Sequence, residues 1–246
     1  MNDLQLLGVK EHWTPLKIYG ITHPFTYLTS STLIATWLVM GALCGVIVCG
    51  RFFFHKKKSR IRYLFLLATE IFMDLCQQTL GTFEYKHFSF IFALFIFILF
   101  CNVVGVIPEL EEPTADLSTA LALAIISFLY VQYYSIKAQG IKAYISDFFQ
   151  PFFIMFPVNI MGKFSSIISL SFRLFGNLLG GSIISNLYFS VAGYNWIITL
   201  VNLTGINLVI TFFFGFFEGA IQAFVFAVLS LTYLSLGMQG EHTKEA

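Results

Sequence analysis

The stretch from Pro157 to Ala192 reads PVNIMGKFSSIISLSFRLFGNLLGGSIISNLYFSVA, and its only formally charged side chains are Lys163 and Arg173. After the turn signal Gly193-Tyr194-Asn195, a second apolar run extends from Trp196 to Leu236 with Glu218 as its only charge. At about 1.5 Å per residue, an unbroken helix over either run is on the order of 55 to 60 Å long, roughly twice the hydrocarbon thickness of a bilayer. Neither run has a polar loop near its middle at which it could split into two upright helices. The pair is therefore expected to form a helical hairpin tilted beyond the ordinary range of about 0 to 40°. Arg173 stands inside the first run, where a guanidinium that cannot deprotonate must keep polar or anionic company.

The rest of the chain fits the same solvent. Hydrophobic residues make up 57% and charged residues 11% of 246, with 30 phenylalanines; a soluble domain carries about 25% charged residues, so the composition is that of a polytopic membrane protein. Residues 27–50 are expected as a first crossing, ending at Arg51 and the basic cluster His55-Lys56-Lys57-Lys58-Ser59-Arg60-Ile61-Arg62. The positive-inside rule keeps that cluster cytoplasmic and places residues 1–26 outside. From Tyr63 to Phe83 apolar positions alternate with Glu70, Asp74, Gln77 and Gln78, which suits one non-crossing surface helix. Residues 88–136 are expected as a helical hairpin. Its exterior loop is the acidic segment Glu109 to Asp116, and Lys137 and Lys142 flank the cytoplasmic end. The expected fold is thus a single all-α integral membrane domain over residues 1–246, with about five crossings including the tilted hairpin at 157–236, and a cytoplasmic C-terminus.

Several function classes find no support. The first 24 residues lack a secretory signal pattern. Cys44, Cys49, Cys76 and Cys101 form no closely spaced metal or redox pair. The five histidines, His12, His23, His55, His87 and His242, stand at segment edges or in loops, which leaves no buried pair for a b-type haem. There is no phosphate-binding glycine loop and no nucleophile with a base. Asn202-Leu203-Thr204 has glycosylation spacing but lies in an apolar run. A net charge of +1 does not favour nucleic acid. No internal repeat is found, which counts against an inverted-repeat transporter. No cofactor and no metal are expected.

The polar residues inside the long runs carry the functional expectation. Arg173 with Asn177 and Glu218 with Gln222 are each four apart, so each pair shows one helix face. Counted from Tyr194, Arg173 lies 21 residues back and Glu218 24 forward, at nearly the same depth. One interpretation is an Arg–Glu ion pair clamping the hairpin; the other is an ion path, the usual meaning of intramembrane ionisable groups. Gly176 and Gly180, with Gly181 following, and Gly215 and Gly219 have the spacing of closely packed membrane helices. Beside Arg173 such glycines also allow another backbone to come near. Asn102, Asp116, Asn159, Lys163, Ser166, Ser169, Ser182, Asn202 and Asn207 are further polar candidates, by default helix-packing residues.

Three strings resemble subunit a of the F-type rotary ATP synthases: Ser169-Leu170-Ser171-Phe172-Arg173-Leu174-Phe175-Gly176-Asn177; Gln222-Ala223-Phe224-Val225-Phe226 with Tyr233-Leu234-Ser235; and Asn102-Val103-Val104-Gly105-Val106-Ile107-Pro108 followed by Pro113-Thr114-Ala115-Asp116. The resemblance covers roughly residues 85 to 240 and looks bacterial or plastid. It implies a stator subunit in a bacterial plasma membrane, partnered by the c-subunit ring, the peripheral-stalk b subunits, the rest of the complex and lipid, without catalysing phosphoryl transfer itself. It also implies that Arg173 meets the ionised carboxylate of each passing ring subunit and bars leakage between two half-channels. Gln222 corresponds to the glutamine near that arginine, and Asn177 to the asparagine of the exterior half-channel. The expected ion-translocation set is Arg173, Glu218, Gln222, Asn177, Asn102, Asp116 and Ser182. Ser182 stands where many bacterial and plastid members have an acid, and Glu218 is expected to take over that role. Acids common on the cytoplasmic side are missing, with Asn159 and Lys163 in that region. An autonomous ion channel or secondary transporter gated by Arg173 and Glu218 is the alternative from another class, and a structural membrane subunit of a respiratory complex is a third.

Overall fold

The computed structural model describes residues 12–13, 28–53, 60–81, 83–104, 112–149, 152–192, 205, 209 and 212–239. Apart from a two-residue antiparallel pairing of His12–Trp13 (β1) with Leu28–Thr29 (β2), the regular structure described is helical. The helices are α1 Ser30–Phe53, α2 Arg60–Leu80, α3 Tyr85–Val104, α4 Leu117–Gln139, α5 Ile141–Asp147, α6 Phe156–Ala192 and α7 Gly219–Gln239. A π-helical turn, Phe212–Glu218, runs directly into α7.

Four of the described segments are long and apolar enough to cross a membrane: Tyr85–Val104, Leu117–Gln139, Phe153–Gly181 and Gly215–Gln239. α1 holds a shorter apolar stretch, Thr32–Val48, within a 24-residue helix that is long enough to span at about 36 Å. The chain is an all-α integral membrane protein. α6 continues for 37 residues without a break, about 55 Å, as the first apolar run predicts. The turn expected at Gly193-Tyr194-Asn195 lies outside the described residues, as do the basic cluster at 55–59 and the acidic positions 109–111.

α3, α4, α6 and α7 share the main core. Leu94 and Ile98 of α3, Ala120 and Ala124 of α4, Ile167, Leu170 and Leu174 of α6, and Ala223 and Phe226 of α7 pack together. The alanines matter because small side chains let membrane helices approach closely without help from water exclusion. α4 and α7 are also joined by a buried hydrogen bond from Ser127 Oγ to Ser230 Oγ at 2.7 Å. Farther along, a Cβ on Gly237 would fall 2.1 Å from Ser135 Oγ and 3.2 Å from its Cβ, so any larger residue there would displace the serine hydroxyl.

α2 lies against the bundle as an amphipathic helix should. Its Phe72 and Cys76 pack with Ile91 of α3 and with Ala227 and Leu231 of α7, while Glu70, Asp74, Gln77 and Gln78 remain exposed. α1 docks on α3 through Val39, Cys101 and Val104. α4 begins at Asp116, whose carboxylate accepts from Ser118 N at 3.1 Å, the usual satisfaction of an orphan helix N–H. It ends at Gly140, where φ is 84°; that left-handed conformation turns the chain sharply into α5.

The second long apolar run departs from regular helix at Phe212–Glu218. Nothing in the phenylalanine-rich string signals this, because no proline or polar break interrupts it. The wider turn is accompanied by stacking of Phe212 on Phe216 and of Phe213 on Phe217, with ring centroids 5.2 and 5.6 Å apart.

Candidate functional site

α6 sorts its residues sharply by face. Ile167, Leu170, Ser171, Leu174 and Leu178 are buried against the bundle, whereas Ile168, Phe172, Arg173, Gly176 and Leu179 are exposed. Arg173 therefore sits on the outer wall, one turn before the half-buried Asn177. A Cβ built on Gly176 or Gly180 would meet nothing within 4 Å. Among the described residues nothing requires glycine at these two positions, and their absent side chains leave backbone bare on the stretch of α6 that follows Arg173.

Glu218 closes the π-helical turn and is half-buried, as is Gln222 one turn later on α7. No ion pair joins Arg173 to Glu218 among the described residues. The clamp considered from spacing is therefore not formed: Arg173 lies on the outer face of α6, while Glu218 sits at the junction where the π turn meets α7.

Asn102 has a more specific place than a packing residue. It is fully buried and uses both ends of its amide: Nδ2 donates to Gly219 O at 2.9 Å, and Oδ1 accepts from Thr114 Oγ1 at 2.7 Å. One side chain thus ties α3, the short 3-10 turn Pro113–Ala115 and the start of α7 at the residue after Glu218. Gly219 is part of the fit, because a Cβ there would come 2.8 Å from Asn102 Cβ. The GxxxG spacing pointed to close packing here; the partner proves to be an asparagine and not a facing backbone.

Asp116 is engaged structurally. Besides capping α4, it accepts from Thr32 Oγ1 at 3.5 Å, which links the loop to α1. Ser182 lies on α6, and its side-chain environment is outside the described residues. The structure thus gathers Glu218, Gln222 and Asn102 around the π-to-α junction, sets Arg173 and Asn177 on α6, and commits Asp116 to a cap.

Two groups were not singled out from the sequence. Glu112, in the loop before α4, has its carboxyl pushed up to about 7 by burial. Its position directly before Pro113-Thr114 distinguishes it from the acids beside it. His87 was placed at a segment edge, yet it is buried. Its Nδ1 lies 3.0 Å from Tyr130 OH and its Nε2 3.2 Å from a Glu84 oxygen, fastening the α2–α3 turn to α4. No group of three metal-ligating side chains occurs among the described residues.

At the opposite end of α6, Asn159 Nδ2 donates to Phe148 O at 3.0 Å. The Lys163 ammonium lies 4.2 Å from the Tyr144 ring centroid and 3.9 Å from that of Phe148, a cation held over two aromatic faces.

The family model described as ATP synthase A chain matches residues 33–235. ATP synthase subunit a 2 of Acaryochloris marina is 34% identical over 216 residues, 85% of this chain and 86% of that protein. ATP synthase subunit a of Moorella thermoacetica is 32% identical over 233 residues, 93% of this chain and 99% of that protein. The sodium ion specific ATP synthase subunit a of Propionigenium modestum is 29% identical over 238 residues, 91% and 79% of the two chains.

Proposed function

Because the chain belongs to the ATP synthase A chain family, we propose that it is the ion-conducting stator subunit that leads protons to and from the c ring through two half-channels kept apart by Arg173. The observation that carries this is the setting of Arg173: a permanent cation on the outer wall of a 37-residue helix, beside bare glycine backbone and without a carboxylate partner in the described part of its own chain. Such a cation needs an anion brought from outside. A ring carboxylate passing along α6 supplies one, and the arginine favours its ionised form.

Glu218, Gln222 and Asn177 form the exterior half-channel in this scheme, with Asn102 holding the junction in place and Ser182 and Asp116 near its mouth. A proton suits them: one carboxyl flanked by amides passes a proton by taking it up and releasing it. The N-terminus lies outside and the C-terminus in the cytoplasm of a bacterial plasma membrane. The b subunits of the peripheral stalk hold the chain still while the ring turns, and the chain itself performs no phosphoryl transfer.

Affinity purification of the tagged chain from gently solubilised membranes is expected to retrieve a small carboxylate-bearing ring protein together with the catalytic head. Reconstituted, that complex is expected to acidify vesicles on ATP addition without added sodium. Recovery of the chain alone, with ion flux through it in the absence of a ring, would instead establish the autonomous channel.

A further inference from the structure

α4, α5 and α6 leave between them an apolar groove of about 410 Å3, at the end of the bundle that carries Lys137 and Lys142, the cytoplasmic end in the function proposed above. Phe128 of α4, Ile145 and Phe148 of α5, and Phe156, Ile160 and Phe164 of α6 form its hydrocarbon walls. The three α6 residues stand four apart and make one row along the helix. Phe164 is nine residues from Arg173, about two and a half turns, so the outer lip of the groove lies on the opposite side of α6 from the guanidinium. Phe164 and Ile145 are exposed, as are Phe152, Phe153 and Ile154 just before α6. The groove therefore opens away from the face assigned to the ring and toward lipid.

Lys163 is the charged side chain among the groove's described lining residues. The rings of Tyr144 and Phe148 hold its ammonium at the wall, and the Tyr144 hydroxyl donates to Gln132 Oε1, which fastens α5 over α4. Asp147 acts on the ammonium through its charge, yet no carboxylate lies within ion-pairing distance of Lys163 among the described residues. On α4, α5 and the first turns of α6 the charged side chains are Lys137, Lys142, Lys163 and Asp147, so positive charge is in excess here. Lys163 stands seven residues into α6, about 10 Å along a tilted helix, a depth from which a lysine stem reaches back to the headgroup level.

We propose that this groove binds one anionic phospholipid of the cytoplasmic leaflet, with an acyl chain laid along Phe156, Ile160 and Phe164 and the phosphate held by Lys163. Basic pockets between membrane helices at this level are suited to anionic headgroups. A partner's helix, about 10 to 12 Å across with its side chains, is too wide for a cleft of this volume, whereas an acyl chain is one methylene wide. A lipid without net charge fills the walls but leaves the ammonium uncompensated; an anionic one satisfies both. The assignment uses the membrane orientation proposed above and no part of the ion path, so its failure leaves the stator function untouched.

The test uses the whole complex, purified in mild detergent, stripped of lipid and returned to nanodiscs that contain a photoactivatable phosphatidylglycerol or, in parallel, a phosphatidylethanolamine with the same carbene-forming acyl chain. Peptide mapping is expected to place phosphatidylglycerol on residues 156–164 or on Phe128 about fivefold more than phosphatidylethanolamine, the scale of one lysine's attraction for an anionic lipid. Lys163→Gln is expected to erase that preference and Lys163→Arg to keep it. Ile160→Trp, which fills the groove, is expected to lower labelling by both lipids. If Lys163→Gln fails to assemble, the parental complex and Ile160→Trp decide the matter by themselves. Equal labelling by the two lipids, a preference that survives Lys163→Gln, or labelling unchanged in Ile160→Trp overturns the proposal. So does a photoreactive amino acid at Phe164 that joins this chain to another subunit instead of to lipid, since the groove is then a protein interface.

Discussion

Arg173→Ala is expected to abolish ion-driven ATP synthesis while leaving the complex assembled. Assembly survives because the side chain supports nothing in the core: its neighbours Leu170, Ser171 and Leu174 face inward, and Arg173 itself is exposed on the outer face of α6. Function fails because a charge pair at about 4 Å in an effective dielectric of about 20 is worth about 4 kcal/mol. That is close to three orders of magnitude in how readily a ring carboxylate gives up its ion. Arg173→Lys is expected to fail badly as well, since lysine can deprotonate where solvation is poor and then no longer bars the path between the half-channels. Synthesis rates on energised membranes, normalised to complex quantified on native gels, measure this directly.

Glu218→Gln is expected to leave assembly intact and to slow ion-driven synthesis by roughly a hundredfold, the scale of losing one positioned acid–base group. The amide keeps the volume of the acid at the π-to-α junction, and the Asn102–Gly219 hydrogen bond that fixes this junction uses backbone, not the Glu218 carboxylate. Glu218→Asp keeps a titratable oxygen in a shorter reach and is expected to retain part of the rate. Had Glu218 been paired with Arg173, loss of the carboxylate would chiefly lower the yield of complex, because a buried charge would be left alone. A parental rate in Glu218→Gln would remove Glu218 from the path.

The long elements were legible because bilayer thickness and uninterrupted hydropathy determine them. α6 follows its apolar run from Phe156 to Ala192 with almost no shift of boundary. α2 was legible as an amphipathic helix because its acids and amides recur among the apolar positions. The π turn at Phe212–Glu218 was not, since hydrogen-bond register inside an apolar helix leaves no trace in composition. Asn102 looked like a default packing residue because its two partners lie 12 and 117 positions away. Asp116 was grouped with the ion path by its motif, and only the backbone geometry shows it capping α4.

The central claim is that the outer wall of α6 around Arg173 meets the ring. Cysteine pairs test it most directly, with one cysteine beside the ring carboxylate and the other at Ser169 or Gly176, exposed positions one turn before and after Arg173 on the same face of α6, in a background without native cysteines. Oxidation is expected to join this chain to a ring subunit from both positions and to stop ATP-driven pumping until reductant is added. A cysteine at Leu66, exposed on α2, is expected to give no such product. Cross-linking from Leu66 with none from Ser169 or Gly176 would contradict the placement of Arg173 against the ring.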